Sequence, residues 1–532
     1  MDTNTCRATT SLSTNPLSPS ALEAQNDANG TAQADSREEE KSPETPSSEE
    51  ALGESPTQPA RILASAQVAW DGENDPEDPK NWSPMRKWKA IFAMSSFVFM
   101  SPLSSTIVAP ALPAIASDLN INQPAVEQMV LSIFLLGFAC GPLVASPLSE
   151  IYGRVRVVQS WNFMYIIFNA ACGGARSKEA ILVLRFIAGL CGSATLGIGG
   201  GTLSDLFRAR DRGKAVAIYS WSPIIAPLIG AVIGGFISQH TTWHWTFYTS
   251  SLLSVVIQLS GLVFLEETYP PFLLRRKKAK LQTETGAMNL YTEFDYLDDV
   301  RVKVLTTNLI RPFKLLATQP IIQVLALYNA YLYGNIYILY ADYIDLWTDI
   351  YGESLQIAGL NYISIAVGSA IAAECCTLVN DRIYRTLSTR NGGKGVPEFR
   401  VPIMIPATFF LGAGMFWYGW SAEKRLHWVM PNIGTSMFVA GALACTISVN
   451  AYVIDTYGRY SASGLAAVST LRCIAGFTFP MFAPYMYSQL GYGWAGSVVG
   501  FIALGIGLPA ALLLGVYGEV LRSKSPYASK LE

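Results

Sequence analysis

Twelve runs of mostly apolar residues, each about 20 long, dictate the solvent in which this chain folds. They lie near 90–111, 125–148, 157–175, 180–203, 215–238, 247–266, 318–344, 356–379, 401–420, 429–454, 464–487 and 494–518. A helix of that length rises through roughly 30 Å, the thickness of bilayer hydrocarbon. Lipid offers no partner for backbone N–H and C=O groups, so a run that is apolar on every face reads as a spanning helix. Composition agrees, since 50% of the 532 residues are hydrophobic and only 15% are charged. A water-exposed globule would carry about a quarter charged residues, which excludes an ordinary soluble enzyme. The expected fold class is an all-α membrane protein with twelve transmembrane helices in two sets of six.

The sets divide the chain into a cytosolic tail at 1–85, a six-helix bundle at 86–270, a central loop at 271–316, a second bundle at 317–520 and a tail at 521–532. Residues 1–80 hold 16 Asp/Glu against 5 Lys/Arg and are rich in Ser, Thr and Pro, as in Lys41 to Pro56. Such a segment cannot bury enough apolar surface to offset chain entropy and is expected to be disordered. No secretory signal pattern stands near Met1. Cytosolic loops carry the excess of Lys and Arg. From Lys80 onward, the loops on the tail side hold 28 basic residues and the opposite loops hold 4, so both termini are expected in the cytosol. The sequons at Asn29 and Asn81 then lie on the unglycosylated side. Seven of the eight cysteines fall in apolar runs, Cys6 being the exception, and no metal-ligand spacing or disulfide framework appears.

Ionisable residues inside spans are costly and mark cavities or partners. Arg185, Glu374 and Arg472 qualify. Glu374 reads either as a group that loads and releases a proton or as a static partner of Arg472. Glu150 and Arg154, four residues apart, have the spacing of a helical ion pair, and Gly153 permits a tight turn. With Asp205 they form a candidate cytosolic charge cluster. Pro223, Pro227, Gly230, Gly234 and Gly235 give the fifth span a density of Pro and Gly that bends a helix and lets backbones approach closely. Gly197 to Gly201 reads as another packing surface, because no Lys-Ser/Thr follows to make a phosphate loop. Acids and bases recur faintly in the second half, with Asp381, Arg382 and Arg385 after span eight and Asp455 and Arg459 after span ten.

Taken together, these residues resemble the major facilitator superfamily, and within it the fungal twelve-span drug:proton antiporters. Trp243-His244-Trp245, Glu267-Thr268-Tyr269, Arg311-Pro312-Phe313 and Pro397-Glu398-Phe399-Arg400 add to the likeness, which covers about residues 70–520. The resemblance implies two bundles rocking about a midplane site and a role for Arg185 in proton coupling. It also implies a loop motif at Glu150, Gly153 and Arg154 with Asp205 as its partner. The proline- and glycine-rich fifth span matches the antiporter motif, with departures at Ser222, Ala226 and Ala231. Candidate cavity residues are Tyr328, Asn329, Tyr333, Asn335, Tyr337, Asn361, Asn450 and Arg472.

The expected function is proton-coupled efflux of small organic compounds such as drugs, toxins, secondary metabolites or polyamines. Proton-linked nutrient uptake and a sensor built on a transporter scaffold are the alternatives. Arg185 and Glu374 are the expected proton-coupling groups. No cofactor or metal is expected, since the proton gradient supplies the energy and no Walker motif is present. The expected partners are a small-molecule substrate and the bilayer, with no nucleic acid, and the expected state is a monomer. The plasma membrane is the expected location, with the vacuolar membrane as alternative. Only His240, His244 and His427 occur, without a nucleophile or metal constellation beside them, so an enzyme is not expected.

Overall fold

A computed structural model describes residues 67–72, 74–208, 212–286, 290–295, 301–525 and 528. The tail up to residue 66, with Cys6 and Asn29, lies outside the described residues, as do Arg210 and most of the last seven positions. Among the described residues, ten helices are long and apolar enough to cross a membrane: Pro84–Asp118, Pro124–Tyr152, Lys178–Leu206, Lys214–His240, His244–Phe264, Leu355–Arg390, Pro397–Glu423, Val429–Tyr457, Ser461–Met481 and Ala483–Ser523. An eleventh, Pro320–Ile350, follows a 97° bend from Leu309–Thr318. The twelfth pass is Arg154–Gly173, in third place along the chain.

That third span is too polar to pass as an apolar crossing, and the reason is its packing. Asn162 Nδ2 donates to Gln258 Oε1 at 2.7 Å, Ser254 Oγ to Asn162 Oδ1 at 3.0 Å, and Asn169 Nδ2 to Ser250 Oγ at 2.8 Å. Every one of these bonds joins the third span to the sixth. Lipid gives helices no hydrophobic reason to associate, so polar side chains hold such a pair together. Glycine does the same for spans two and four: a Cβ on Gly137 would stand 2.1 Å from the Phe186 carbonyl oxygen, and one on Gly189 equally close to that of Phe134.

One boundary differs from expectation. The chain is built into the fold from Gln67, well before residue 85. Gln67 and Val68 pair in parallel with Tyr291 and Thr292 of the central loop, and Val68, Asp75 and Trp82 are buried. Spans eleven and twelve are joined by a tight turn at Gly491, non-helical at φ 70°, where two helices meet across a kink.

Contacts between the two halves gather at the end opposite the basic loops. Gln128 Nε2 of span two donates to the Ala341 carbonyl of span seven at 2.9 Å. The Leu355 N–H of span eight reaches Gln239 Oε1 of span five at 3.2 Å, and Gln356 meets His240 at 2.8 Å. These bonds tie the two halves together at this end.

Candidate functional site

At the basic end, Gly153 takes φ 93° and turns the chain between spans two and three. The turn breaks the helix that would have paired Glu150 with Arg154. Arg154 instead donates from Nε to Asp205 Oδ2 at 2.7 Å, with both side chains 11% exposed. The new helix leaves its first N–H groups unpaired, and Glu267 takes them, accepting from Arg154 N at 2.9 Å and Val155 N at 3.2 Å. Gly201 is required here, because a Cβ would stand 2.5 Å from the Arg154 guanidinium. Glu150 faces the charges of Arg154 and of Arg311, at the start of the other half.

The second half repeats this latch with a different arginine. Arg400, just before span nine, donates to Asp455 Oδ2 at 2.9 Å and to Asp381 Oδ1 at 2.8 Å. Asp381 and Asp455 thus occupy the places the repeat assigns them. The cation between them comes from 19 residues beyond Asp381 rather than from Arg382 or Arg385.

At the centre, Arg185 is 0% exposed. Its Nε donates to the Val130 carbonyl at 3.3 Å and its Nη1 to that of Ser104 at 3.2 Å, its guanidinium lies 4.7 Å from the Phe134 ring, and its Nη2 has no partner. From the other bundle, half-buried Arg472 lies 4.6 Å over the Tyr333 ring with its Nε unpaired. The Tyr333 and Tyr337 rings lie 5.1 Å apart, tilted by 43°, and Tyr337 acts electrostatically on both arginines. Asn329 lies one turn before Tyr333 on the same face, fully buried, with both amide atoms unpartnered. Unpaired buried polar groups are expensive, and here those of Arg185, Arg472 and Asn329 come from both halves.

The remaining cavity candidates point elsewhere. The Tyr328 hydroxyl meets Thr408 at 3.4 Å inside the second bundle, and Asn335 Nδ2 turns back to the Tyr331 carbonyl of its own helix. Asn361 belongs to an outer polar network with Glu353 and Asn432, both at 2.7 Å. Asn450 is half-buried on span ten. Glu374 is exposed, on the same stripe as Ile363, Val367, Ile371 and Leu378. Among the described residues it makes no ion pair, so the static pair with Arg472 is not formed. In the fifth span, Gly234 packs on span one, where a Cβ would meet the Ile107 carbonyl oxygen at 2.2 Å, and so does Gly230, beside Leu103. Gly235 packs across the halves, 2.5 Å from the Leu355 carbonyl oxygen by the same measure. The Pro227 carbonyl accepts from Thr106 at 3.0 Å, and Pro223 lies inside the same helix.

Sequence reasoning passed over the capping role of Glu267, the bridging role of Arg400 and the buried Asp342. The first two stand in phrases quoted for their likeness alone. Asp342 stands near the end of an apolar run, where charge is ordinary.

Two helical bundles, latched separately at the basic end, joined at the other, and sharing a buried polar centre, define a membrane transporter of the alternating-access kind. A family profile, Major Facilitator Superfamily, matches residues 94–480. The chain is 42% identical to the efflux pump vrtL of Penicillium aethiopicum over 87% of its own length and 91% of that protein's. It is 38% identical to the efflux pump radE of Floropilus chiversii, over 87% and 86%. A crystal structure of a D-xylose-proton symporter superposes with a TM-score of 0.59 at 14% identity, covering 82% of this chain and 98% of the other, which is a likeness of fold. The chain belongs to the major facilitator superfamily and is a multi-pass membrane transporter.

Proposed function

We propose that the protein exports small, oxygen-rich organic compounds from the cytosol in exchange for protons, at the site between Arg185 and Arg472. One observation carries this reading: each bundle contributes an arginine with an unpaired N–H, Arg185 beside the Phe134 ring and Arg472 over the Tyr333 ring, and both lie within electrostatic range of Tyr337. Guanidinium groups donate to carbonyl, phenolate and carboxylate oxygens, and the neighbouring ring faces of Tyr333 and Tyr337 suit flat rings. Relatives named efflux pumps support the direction. The proton gradient is the energy source and no cofactor takes part. The protein works as a monomer in the plasma membrane with both termini in the cytosol.

The test has two stages. Metabolites inside cells and in the medium are compared with and without the gene, which identifies the cargo. That compound is then loaded into right-side-out proteoliposomes, and its exit is followed with acid outside. Exit against its own gradient, abolished by a protonophore, is expected. Accumulation inside would establish uptake instead. Arg472→Ala should raise KM about tenfold, the loss of one charged hydrogen bond, with expression unchanged.

A further inference from the structure

The last turns of span seven carry three acids, Asp342, Asp345 and Asp349, spaced three and four apart and therefore on one face. Asp349 is exposed, Asp345 half-buried and Asp342 8% exposed. They form a ladder from the outer surface into the second bundle. At its inner end Asp342 faces the Tyr492 phenol, and its Oδ2 is buried without a partner. Asp342 acts electrostatically on two further tyrosines, Tyr418 of span nine and Tyr487, just before the Gly491 turn. Both are buried and both hydroxyls are unpartnered. The Tyr487 and Tyr492 rings lie 5.0 Å apart, tilted by 31°, on either side of the Gly491 break. Glu423 stabilises the break by accepting from Gly493 N at 3.3 Å. Several orphaned polar atoms therefore converge on one enclosed carboxylate.

The ladder also borders the end where the two halves are tied together. Gln128, which clamps span two to span seven, bonds the carbonyl of Ala341, next to Asp342. Its neighbour Glu127 acts on Asp345 from the opposite half. The ionisable groups around Asp342 are thus Asp345, Asp349 and Tyr343 on its own span, Glu127 on span two, Tyr418 with Glu423 on span nine, and Tyr487 and Tyr492 on either side of the Gly491 turn. Among the described residues, no Lys or Arg pairs with Asp342, Asp345, Asp349 or Glu127.

We propose that Asp342 is the carboxylate that carries the exchanged proton, loaded from outside along Asp349 and Asp345, and that its protonation closes the outer face. An ionised carboxylate enclosed without a cation is costly, while the neutral acid is tolerated. An ionised Asp342 adds a further negative charge beside Asp345 and Glu127 at the seam between the halves, and its neutralisation removes that added opposition to closure. The proton passes from external water to Asp342 Oδ2 while the outer face is open, stays there as spans two and seven close over it, and returns to water of the central cavity once the inner side opens. A site this enclosed admits a proton or a small cation and excludes an organic cargo. This inference rests on the proton-coupled reading above and replaces Glu374 as the acid.

The test uses the full-length protein in nanodiscs with protons as the only ligand. Spin labels at Ser177 and Lys424, outer-loop positions in opposite halves, report the opening. Cys6 and Cys375 are replaced, and His240→Gln removes the imidazole that touches Gln356. The labelled parent should close in acid and open as pH rises. Asp342→Asn should stay closed at every pH, and Asp342→Glu should restore the response with its midpoint displaced by about one pH unit. A pH response in Asp342→Asn equal to the parent's overturns the proposal, and so does a parent that ignores pH or follows sodium concentration instead. In those cases the acid-driven exit assay, which needs no label, still decides whether transport is proton-coupled at all.

Discussion

The two latches at the basic end are built to one plan from different materials. In the first half, Arg154 is enclosed with Asp205, both 11% exposed, and its helix start is capped by Glu267. In the second half, Arg400 is 17% exposed and shared between Asp381 at 52% and Asp455 at 24%. A buried pair that loses one member leaves an uncompensated charge, which costs about 3–5 kcal/mol. A pair open to water is worth about 0.2–1 kcal/mol. The first latch is therefore a structural commitment, and the second is a contact that water can replace each time the halves move. Glu150 sharpens the contrast. Its counterpart Asp381 bonds within its own half, whereas Glu150 faces Arg311 of the other half, so the first half supplies the acid that reaches across.

The largest effect is expected from Arg154→Ala. It strands Asp205, and transport should fall below a tenth of normal while equilibrium binding of the cargo persists. Loss of binding together with transport would show that the latch holds the fold rather than the cycle. Arg400→Ala should lower the rate about threefold, since two half-exposed acids regain water. An effect as large as that of Arg154→Ala would erase the distinction between the halves. Arg311→Gln should shift labels at the basic ends of the two halves apart and change the rate by less than twofold, and it should have no additional effect in Glu150→Gln.

The smallest effect lies in the collar around the first span. Burial works to raise the Asp75 carboxyl, but N–H donors from Asp71 and Glu77 and the Lys277 ammonium outweigh it and hold the group below the usual carboxylate range. Burial works to lower Lys277, but its bonds to Asp71 and Asp75 raise it. A depressed acid contributes stability above its unfolded value, about 3.9, which is lost as pH falls through the folded value. A raised lysine contributes below about 10.4, and that share is lost as pH rises past its folded value. The collar thus adds under about 1 kcal/mol between those limits. In thermal unfolding, Lys277→Met should be less stable than the wild type near neutrality, and the gap should shrink in acid.

Much of the fold was legible because apolar runs of bilayer length admit one backbone solution. The third span shows the limit of that signal, since its Asn and Gln side chains are satisfied by a neighbour 80 to 100 positions away in the chain. The site was less legible because rotation about a helix axis cannot be read from a nearly uniform apolar run. Tyr328 and Tyr333 look alike in the sequence, yet one bonds Thr408 and the other lies under Arg472. Glu374 stood out as a charge in an apolar run, and its helix turns it onto an exposed face. Arg400 was hidden by a loop longer than the one it mirrors, which moved the arginine away from its acids in sequence but not in space.

The exit assay with the two central arginines tests the account most directly. Right-side-out proteoliposomes carrying wild-type protein, Arg185→Lys or Arg472→Lys are loaded with the secreted compound and placed in acid. Wild-type vesicles should expel it uphill. Each lysine variant, with the charge kept and the planar fork lost, should need roughly tenfold more internal compound for the same rate. Equal rates at equal concentration in all three would mean that the cargo never touches the arginines.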